Sequence, residues 1–530
     1  MPVWPKIVYT CKVSLRTAAT KWKLRQHDSA RAGQQEAFGG LTRELATTSY
    51  WRQFGIEPGM SYSQFQARVP VHTYEQLVPA IDQMKRGESD VLWPGRCTLF
   101  GRTAGTSNGQ PRCLPMTESL LAHFREAGFA SLLYYSVRTR HPGAFHGRHL
   151  YLGGATTLTS LGEGGGHPTF AGEASGIAAL NFPKWVERHF YEPGPGIAQI
   201  PAWDAQVNAI AARTRSCDIS LLAGVPDTVR QVSHVLRKKF SNGKKPPPPL
   251  QEYWPNLECY AHTGASLSPY AVELRRGLGP KVVFHETYAA SEAIIAAQDA
   301  EPGQGLRLMS DQGVYFEFVA LGDFDDLRLD QLGPKTVPTA GVKPGVDYVV
   351  LITTPGGLAR YVLGDVVRFT SVAPPRLVHV GRTQLRLNAF EENVSEKDVI
   401  DALVALCHER DWTLVNFHVA PLFAGNNLTG KQRGSHEWWI ELKPGTIVTP
   451  IGPQMAGELD VELQRTNPAY RARRVAGILE SPTVRLVMPG VFEHWLRYHQ
   501  KWGGQHKMPR CRSDRVVADE FAHMTNFARD

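Results

Sequence analysis

Between Phe100 and Thr117 the chain reads FGRTAGTSNGQPRCLPMT. Thr103, Ala104, Gly105, Thr106, Ser107 and Gly109 crowd small and hydroxyl side chains into a few positions. Glycines let the backbone take angles that other residues resist, so successive N–H groups can converge on an anion. Thr103, Thr106 and Ser107 add hydroxyl donors, and Arg112 adds a fixed planar charge that fits phosphate. Such a loop suits a triphosphate. A plain Gly/Ser/Thr turn between two strands has the same composition. The G-x-x-x-x-G-K-S/T pattern of the common P-loop is absent.

Three later segments bear on that choice: ETYAASE (Glu286 to Glu292), LARYVLGD (Leu358 to Asp365) and GGQHKMPRC (Gly503 to Cys511). With the first loop, in this order and at these distances, they resemble the adenylate-forming enzymes. Among these they look most like the Gretchen Hagen three family, the auxin-responsive acyl-acid amido synthetases. That family carries a loop like S-S-G-T-S-x-G-x-x-K-x-x-P, where this chain has Thr103 to Pro115. The block V-P-V-x-x-Y-E-x-L at Val69 to Leu77 resembles the family's N-terminal signature. The resemblance runs from about Leu41 to Cys511.

The resemblance implies a fold and a set of roles. The fold is α/β, a large N-terminal adenylate-forming domain with mixed sheets and helices and a smaller mobile α+β C-terminal domain. A change of composition after Arg382 places the division near Leu387, within about ten residues, giving 1–387 and 388–530. The loop Thr103, Ala104, Gly105, Thr106 and Ser107 would hold the β- and γ-phosphates of ATP. Gly264 and Ala265 match the turn lying against adenine, and Thr287 and Tyr288 the contacts beside it. Asp365 matches the carboxylate that accepts both ribose hydroxyls, and Arg382 a hinge-side arginine that reaches the nucleotide. Glu292 corresponds to the acid that holds Mg²⁺, which wants hard oxygen ligands. Lys507 matches the lysine of the mobile domain that sits over the α-phosphate. Taken singly, Tyr288 reads as core, Glu292 as a helix N-terminal acid, Asp365 as a turn residue and Lys507 as a solvated charge.

The implied reaction transfers AMP from ATP to a carboxylic acid and then passes the acyl group to an amine, an amino acid. The protein's task is positioning and charge stabilisation. An acid–thiol ligase delivering to coenzyme A and a catalytically silent nucleotide-binding regulator are the competing readings. The length of the part after residue 387 favours the amide-forming one. Several positions depart from the family pattern. Ala104 replaces a serine, Arg112 a lysine and Ala289 a glycine, while Asn393 stands where the family has the lysine of Glu-Lys.

The elements that must position these residues are legible in outline. Helical spacing appears from Gln34 to Phe54, from Thr73 with Glu75 in the first turn, over 118–140 and over 203–240. Short apolar strands are expected at YAHTGA, VVFHETY, GVYFEFVAL, DYVVLITT, RYVLGDVVRFT and RLVHVGR, then at VNFHVAPLF and HEWWIELKP. Strands alternating with helices predict a sheet with ligands beyond the strand ends. The run Gly164 to Gly166 reads as a flexible loop in preference to a second phosphate loop. Tyr134, Tyr135 and Phe170 suit an apolar acid pocket or the core equally.

Composition narrows the class. The 530 residues, 42% hydrophobic and 20% charged, are enough for two or three globular domains. The formal charge of +8 is mild and dispersed, which suits an anionic small molecule better than nucleic acid. Seven cysteines without C-x-x-C spacing fit a reducing compartment, the cytoplasm, where ATP is available. No apolar run reaches membrane-spanning length, and no membrane partner is expected. The first forty residues are basic and read as a packed helix in preference to a targeting or membrane-surface segment. Monomer is the family default.

Overall fold

The computed structural model describes residues 3–26, 29–103, 112–164, 166–426, 432–445, 451–503 and 508–527. It separates into two compact units, Met1–Ala265 with Leu274–His379, and Ser266–Glu273 with Val380–Asp530. The later junction, between His379 and Val380, is within about ten residues of Leu387.

The first unit is built on a sheet of twelve strands among the described residues. One half is parallel: Tyr191–Glu192, Arg148–Leu152, Ile219–Gly224, Cys259–His262 and Val283–Ala289 pair in that order. The direction reverses after Val283–Ala289, which pairs antiparallel with Ile294–Ala297. The antiparallel half continues through Leu306–Leu308, Pro375–Arg382, Tyr361–Val372, Asp347–Thr353 and Tyr315–Ala320. A second sheet pairs Cys113–Pro115 and Leu99–Arg102 as a hairpin, with His167–Glu173 and Thr159–Gly164 beyond. Gly164 ends one of these strands and His167 begins the next; Gly165 lies outside the described residues.

One stretch differs from its expected form. Residues 203–240 are two helices, Trp203–Thr214 and Pro226–Phe240, split by the strand Ile219–Gly224. The reason is burial. ISLLAG lies between two parallel neighbours, and such strands are apolar on both faces and lose the alternation that marks them. Pro226 then opens the second helix at a position where its missing N–H costs nothing.

The helix Glu118–Thr139 follows the candidate phosphate loop. Its N-cap is Thr117, whose hydroxyl accepts from the Leu120 N–H at 3.1 Å and donates to the Pro355 carbonyl at 2.6 Å. One residue thus starts the helix and ties it to the sheet.

A buried arginine holds the antiparallel half to the N-terminal helices. Arg360 and Glu317 have side chains 0% and 1% exposed. Arg360 Nε donates to both Glu317 oxygens at 3.1 and 3.2 Å. Nη1 donates to the carbonyls of Gln66 and Val69 at 2.9 and 2.6 Å, and Nη2 to Gly333 O and Thr336 Oγ1 at 3.1 and 2.7 Å. Arg360 itself has φ +47, a left-handed backbone that non-glycine residues rarely adopt.

Among the described residues the second unit holds a three-stranded sheet, Leu414–Asn426, Gln432–Leu442 and Thr483–Leu486, and a short pair, Arg386–Leu387 with Val394–Ser395. Successive strand residues face opposite ways. Trp438 therefore joins the core beneath the helices Glu396–Glu409 and Ile451–Thr466, while Trp439 joins Phe492, Trp495 and Phe521 on the other side. At the entry to this unit Glu392 and His436 are both fully buried, 3.0 Å apart. Burial alone would raise the Glu392 carboxyl, but the bonds from His436 and from the Phe390 N–H outweigh it and leave it lowered.

Replacing Arg360 with Met strands the Glu317 carboxylate in the core. Denaturant unfolding of Arg360→Met is expected to show a loss of about 3–5 kcal/mol, part of which the added Glu317→Leu change restores.

Candidate functional site

The loop 104–111 and Lys507 lie outside the described residues, so Ala104, Gly105, Thr106, Ser107 and Lys507 have no geometry to report. The ends of the loop do. The Thr103 N–H donates to the Arg112 carbonyl at 2.9 Å, and the Arg112 N–H donates to Thr103 Oγ1 at 3.3 Å. These bonds extend the hairpin ladder Arg102↔Cys113 by one step and close the neck of the loop.

Arg112 does more than follow the loop. Its Nη1 donates to the Tyr361 hydroxyl at 3.4 Å, and its Nη2 lies 3.6 Å from Glu75. Tyr361 is fully buried beside Arg360, in the RYVLGD motif. Burial pushes its phenol up, with the negative charge of Glu292 the next contribution. Loop neck, RYVLGD strand and Glu292 therefore share one neighbourhood, although Arg112 and Tyr361 are 249 residues apart.

A second pairing joins the remaining motifs. Tyr288, on the strand where the sheet reverses, donates its hydroxyl to Asp365 Oδ2 at 2.6 Å, across 77 residues. Asp365 is buried and follows Gly364, whose φ of +82 suits glycine. His379 Nε2 lies 3.8 Å from the other Asp365 oxygen, and its ring meets the Tyr288 ring edge-on at 5.4 Å. His379 carried no sequence signal beyond a polar residue in RLVHVGR.

Thr287 Oγ1 bonds Ser131 Oγ at 2.7 Å, and Ser131 also meets His285 Nε2 at 2.9 Å. Gly264 has φ +82 and, with Ala265, forms the turn beyond the carboxyl end of the strand Cys259–His262. Just before it, His262 Nδ1 and Thr263 Oγ1 are buried polar atoms with no partner among the described groups. Polar atoms ready for a ligand at the end of a parallel strand fit a nucleotide base there. Ala289, standing for a family glycine, ends the extended strand Val283–Ala289, where any residue fits. Tyr135 donates to Glu258 Oε1 at 2.9 Å and belongs to the core.

Glu292 is buried. Among the described residues no three His, Cys, Asp or Glu side chains gather as a metal set. One carboxylate suits Mg²⁺, which keeps its waters and takes the rest of its oxygens from substrate phosphates. Sequence reasoning missed the residue that fixes the strand after Glu292. His123 accepts the Ile294 N–H on Nε2 at 3.0 Å and meets the Gln312 carbonyl at 2.7 Å with Nδ1. Both ring nitrogens are thus committed and the tautomer is set, with the proton on Nδ1. Burial pushes this histidine down to about 4.

In the second unit Arg382 ends the strand Pro375–Arg382. Asn393 has φ +54, a left-handed angle that asparagine tolerates, and its N–H donates to Asn388 Oδ1 at 3.1 Å. The segment after Lys507 is anchored. Val419 donates to Arg510 O at 2.9 Å, Arg512 donates to Val419 O at 3.1 Å, and Cys511 is fully buried.

Models of the GH3 family N-terminal, central and C-terminal domains match residues 21–201, 307–382 and 397–516. Indole-3-acetic acid-amido synthetase GH3.8 of Oryza sativa subsp. indica is 25% identical, over 91% of this chain and 88% of its own. Jasmonoyl-L-amino acid synthetase JAR4 of Nicotiana attenuata is 23% identical, over 90% of each. The structure of the GH3.15 acyl acid amido synthetase in complex with 2,4-DB superposes with a TM-score of 0.71 at 17% identity, covering 96% of this chain and 95% of that one. A 2-hydroxyisobutyryl-CoA ligase in its post-adenylation state, with 2-HIB-AMP, gives 0.53 at 14% identity, covering 97% and 92%. The fold is that of the adenylate-forming enzymes.

Tyr288→Phe removes the hydrogen bond that orients Asp365. Calorimetric titration is expected to show ATP affinity about tenfold weaker, the scale of one charge-assisted bond. Acid is expected to act elsewhere. Burial lowers His72, His123, His149 and His418 to about 4, and His262 and His285 to about 3. These groups stay neutral when folded and take protons when unfolded, so stability is complete above the ordinary histidine value of about 6.5 and falls as pH drops toward 4. Thermal unfolding across that window is expected to show a steadily falling midpoint.

Proposed function

We infer what this chain does from one premise: it belongs to the GH3 family. It is an ATP-dependent acyl-acid amido synthetase. A carboxylate oxygen of the acid attacks the α-phosphorus of ATP, pyrophosphate leaves, and an acyl-adenylate forms. The amine of an amino acid then attacks the acyl carbon, AMP leaves and an amide remains. The observation that carries this reading is the Tyr288–Asp365 hydrogen bond, because it joins two motifs whose matched roles are adenine and ribose binding. The relatives' activities toward indole-3-acetic acid and jasmonate support the class of reaction.

The chain's own groups have separable tasks. Asp365 accepts the ribose hydroxyls while Tyr288 holds its carboxylate in place. Gly264 and Ala265 present backbone to the base, and Thr287 a hydroxyl beside it. Thr103 to Ser107 and Arg112 bind the phosphates, and Arg382 adds a positive charge. Glu292 would hold Mg²⁺, which would supply charge neutralisation when bound. Lys507 stabilises the charge that grows on the α-phosphate in the transition state, where a preorganised cation is worth most. We place the reaction in the cytoplasm; seven free thiols support a reducing compartment.

ATP–pyrophosphate exchange across a panel of carboxylic acids, then amide formation across a panel of amines, tests the reading. Exchange dependent on one acid, with acyl transfer to an amino acid, is the expected result. Acceleration by coenzyme A alone would make the chain a thiol ligase, and nucleotide binding without exchange would make it a regulator. Lys507→Ala is expected to lower exchange at least about a hundredfold with ATP affinity nearly unchanged. Glu292→Gln is expected to weaken nucleotide binding only when Mg²⁺ is present.

A further inference from the structure

The helix Val3–Leu24 has two working faces. One packs on the protein: Val13 is 2% exposed and clusters with Leu133 and Phe145, with Tyr9 and Phe129 against them. Arg16 pins the same side, pairing with Glu126 at 3.0 Å and lying 4.5 Å over the Phe129 ring. The packed helix expected from the sequence is therefore present.

The opposite face is apolar and exposed. Leu15 and Trp22 are 73% and 66% exposed, and Cys11, Ala18 and Ala19 are exposed with them. At about 100° per residue, positions 11, 15, 18, 19 and 22 fall on one stripe. Lys12 borders it on one side, Lys21 and Arg25 on the other, all three exposed, while Lys23 is paired with Asp311 at 2.5 Å on the packed side. No Asp or Glu occurs before Asp28. Isolated exposed apolar residues are ordinary; a continuous stripe flanked by cations and free of acids is the pattern of a helix lying in a membrane interface, its long basic side chains reaching past the apolar contact.

We propose that this face docks the protein reversibly on the surface of an anionic lipid bilayer. Leu15 and Trp22 enter the boundary between headgroups and acyl chains, and Lys12, Lys21 and Arg25 meet the negative headgroups. Charge decides the occupant. A second copy laid on the same stripe would bring two acid-free, cationic helices together, which repel. Nucleic acid would satisfy the cations but leave Trp22 and Leu15 without an apolar phase. An anionic bilayer satisfies both. The inference is independent of the ligase reading and departs from the expectation of no membrane partner. Among the described residues no helix is long and apolar enough to cross a membrane, so the association is at the surface.

The test is flotation of the full chain with phosphatidylcholine vesicles containing about one third phosphatidylserine, against phosphatidylcholine alone. Binding to the anionic vesicles is expected, weaker by about tenfold without phosphatidylserine and reversed by about 0.5 M sodium chloride. The double variant Leu15→Glu with Trp22→Glu changes solvated positions, so its thermal unfolding is expected to match the parent while vesicle binding drops at least about tenfold. Absence of flotation with anionic vesicles overturns the proposal, as does a double variant that binds as the parent does. A concentration-dependent dimer that the double variant dissolves would assign the face to a second copy and overturns it as well.

Discussion

Arg360 is the constraint from which much of the first unit follows. Its guanidinium is sealed in the core, so every N–H must find an acceptor inside the protein. The Glu317 carboxylate neutralises it. The carbonyls of Gln66, Val69 and Gly333 and the Thr336 hydroxyl take the remaining donors. These acceptors come from the N-terminal helices, from the strand Tyr315–Ala320 near the sheet's edge and from the short turns before Val337. None can move without exposing a buried charge to an unpaired state. A pair of this kind adds little net stability over apolar replacements, but it penalises misplacement strongly.

The candidate site borrows that rigidity. Tyr361 follows Arg360 directly, and its hydroxyl receives Arg112 from the neck of the phosphate loop. Four residues on, Asp365 receives Tyr288. The strand Tyr361–Val372 thus carries contacts to two other motifs, and its N-terminal end is fixed by the buried arginine. His123 contributes from the other side, holding the helix Glu118–Thr139 to the backbone just beyond Glu292. Neutral, doubly bonded and desolvated, it does this only as the uncharged ring.

Much of this was legible in the residue order. The four motifs marked the candidate residues because each pairs an unusual residue type with flanking glycines or aromatics. The helix near Thr73 and the helix over 118–140 were visible because first-turn charge and helical spacing are local signals. What escaped was non-local. A lone histidine within a long helix has no periodic signature, so His123 could not be told from any core residue. ISLLAG merged into its neighbouring helices because a strand buried on both faces loses its alternation. The segment Ser266–Glu273 was expected to stay with its sequence neighbours, yet it belongs to the second unit, where Arg510 reaches the Tyr270 hydroxyl.

By itself the sequence determined which residue types are available for adenylation chemistry, their order, and the alternation of strands and helices that carries them. It also determined the acid-free stripe of the first helix, since helical spacing converts directly into a face. Only the tertiary structure decided that Tyr288 meets Asp365, that Arg112 meets Tyr361, and which side of the first helix stays in water. Those outcomes depend on strand order and burial across tens to hundreds of residues. Such contacts are set by how the whole chain buries its apolar surface and satisfies its buried polar groups, and no local stretch records them.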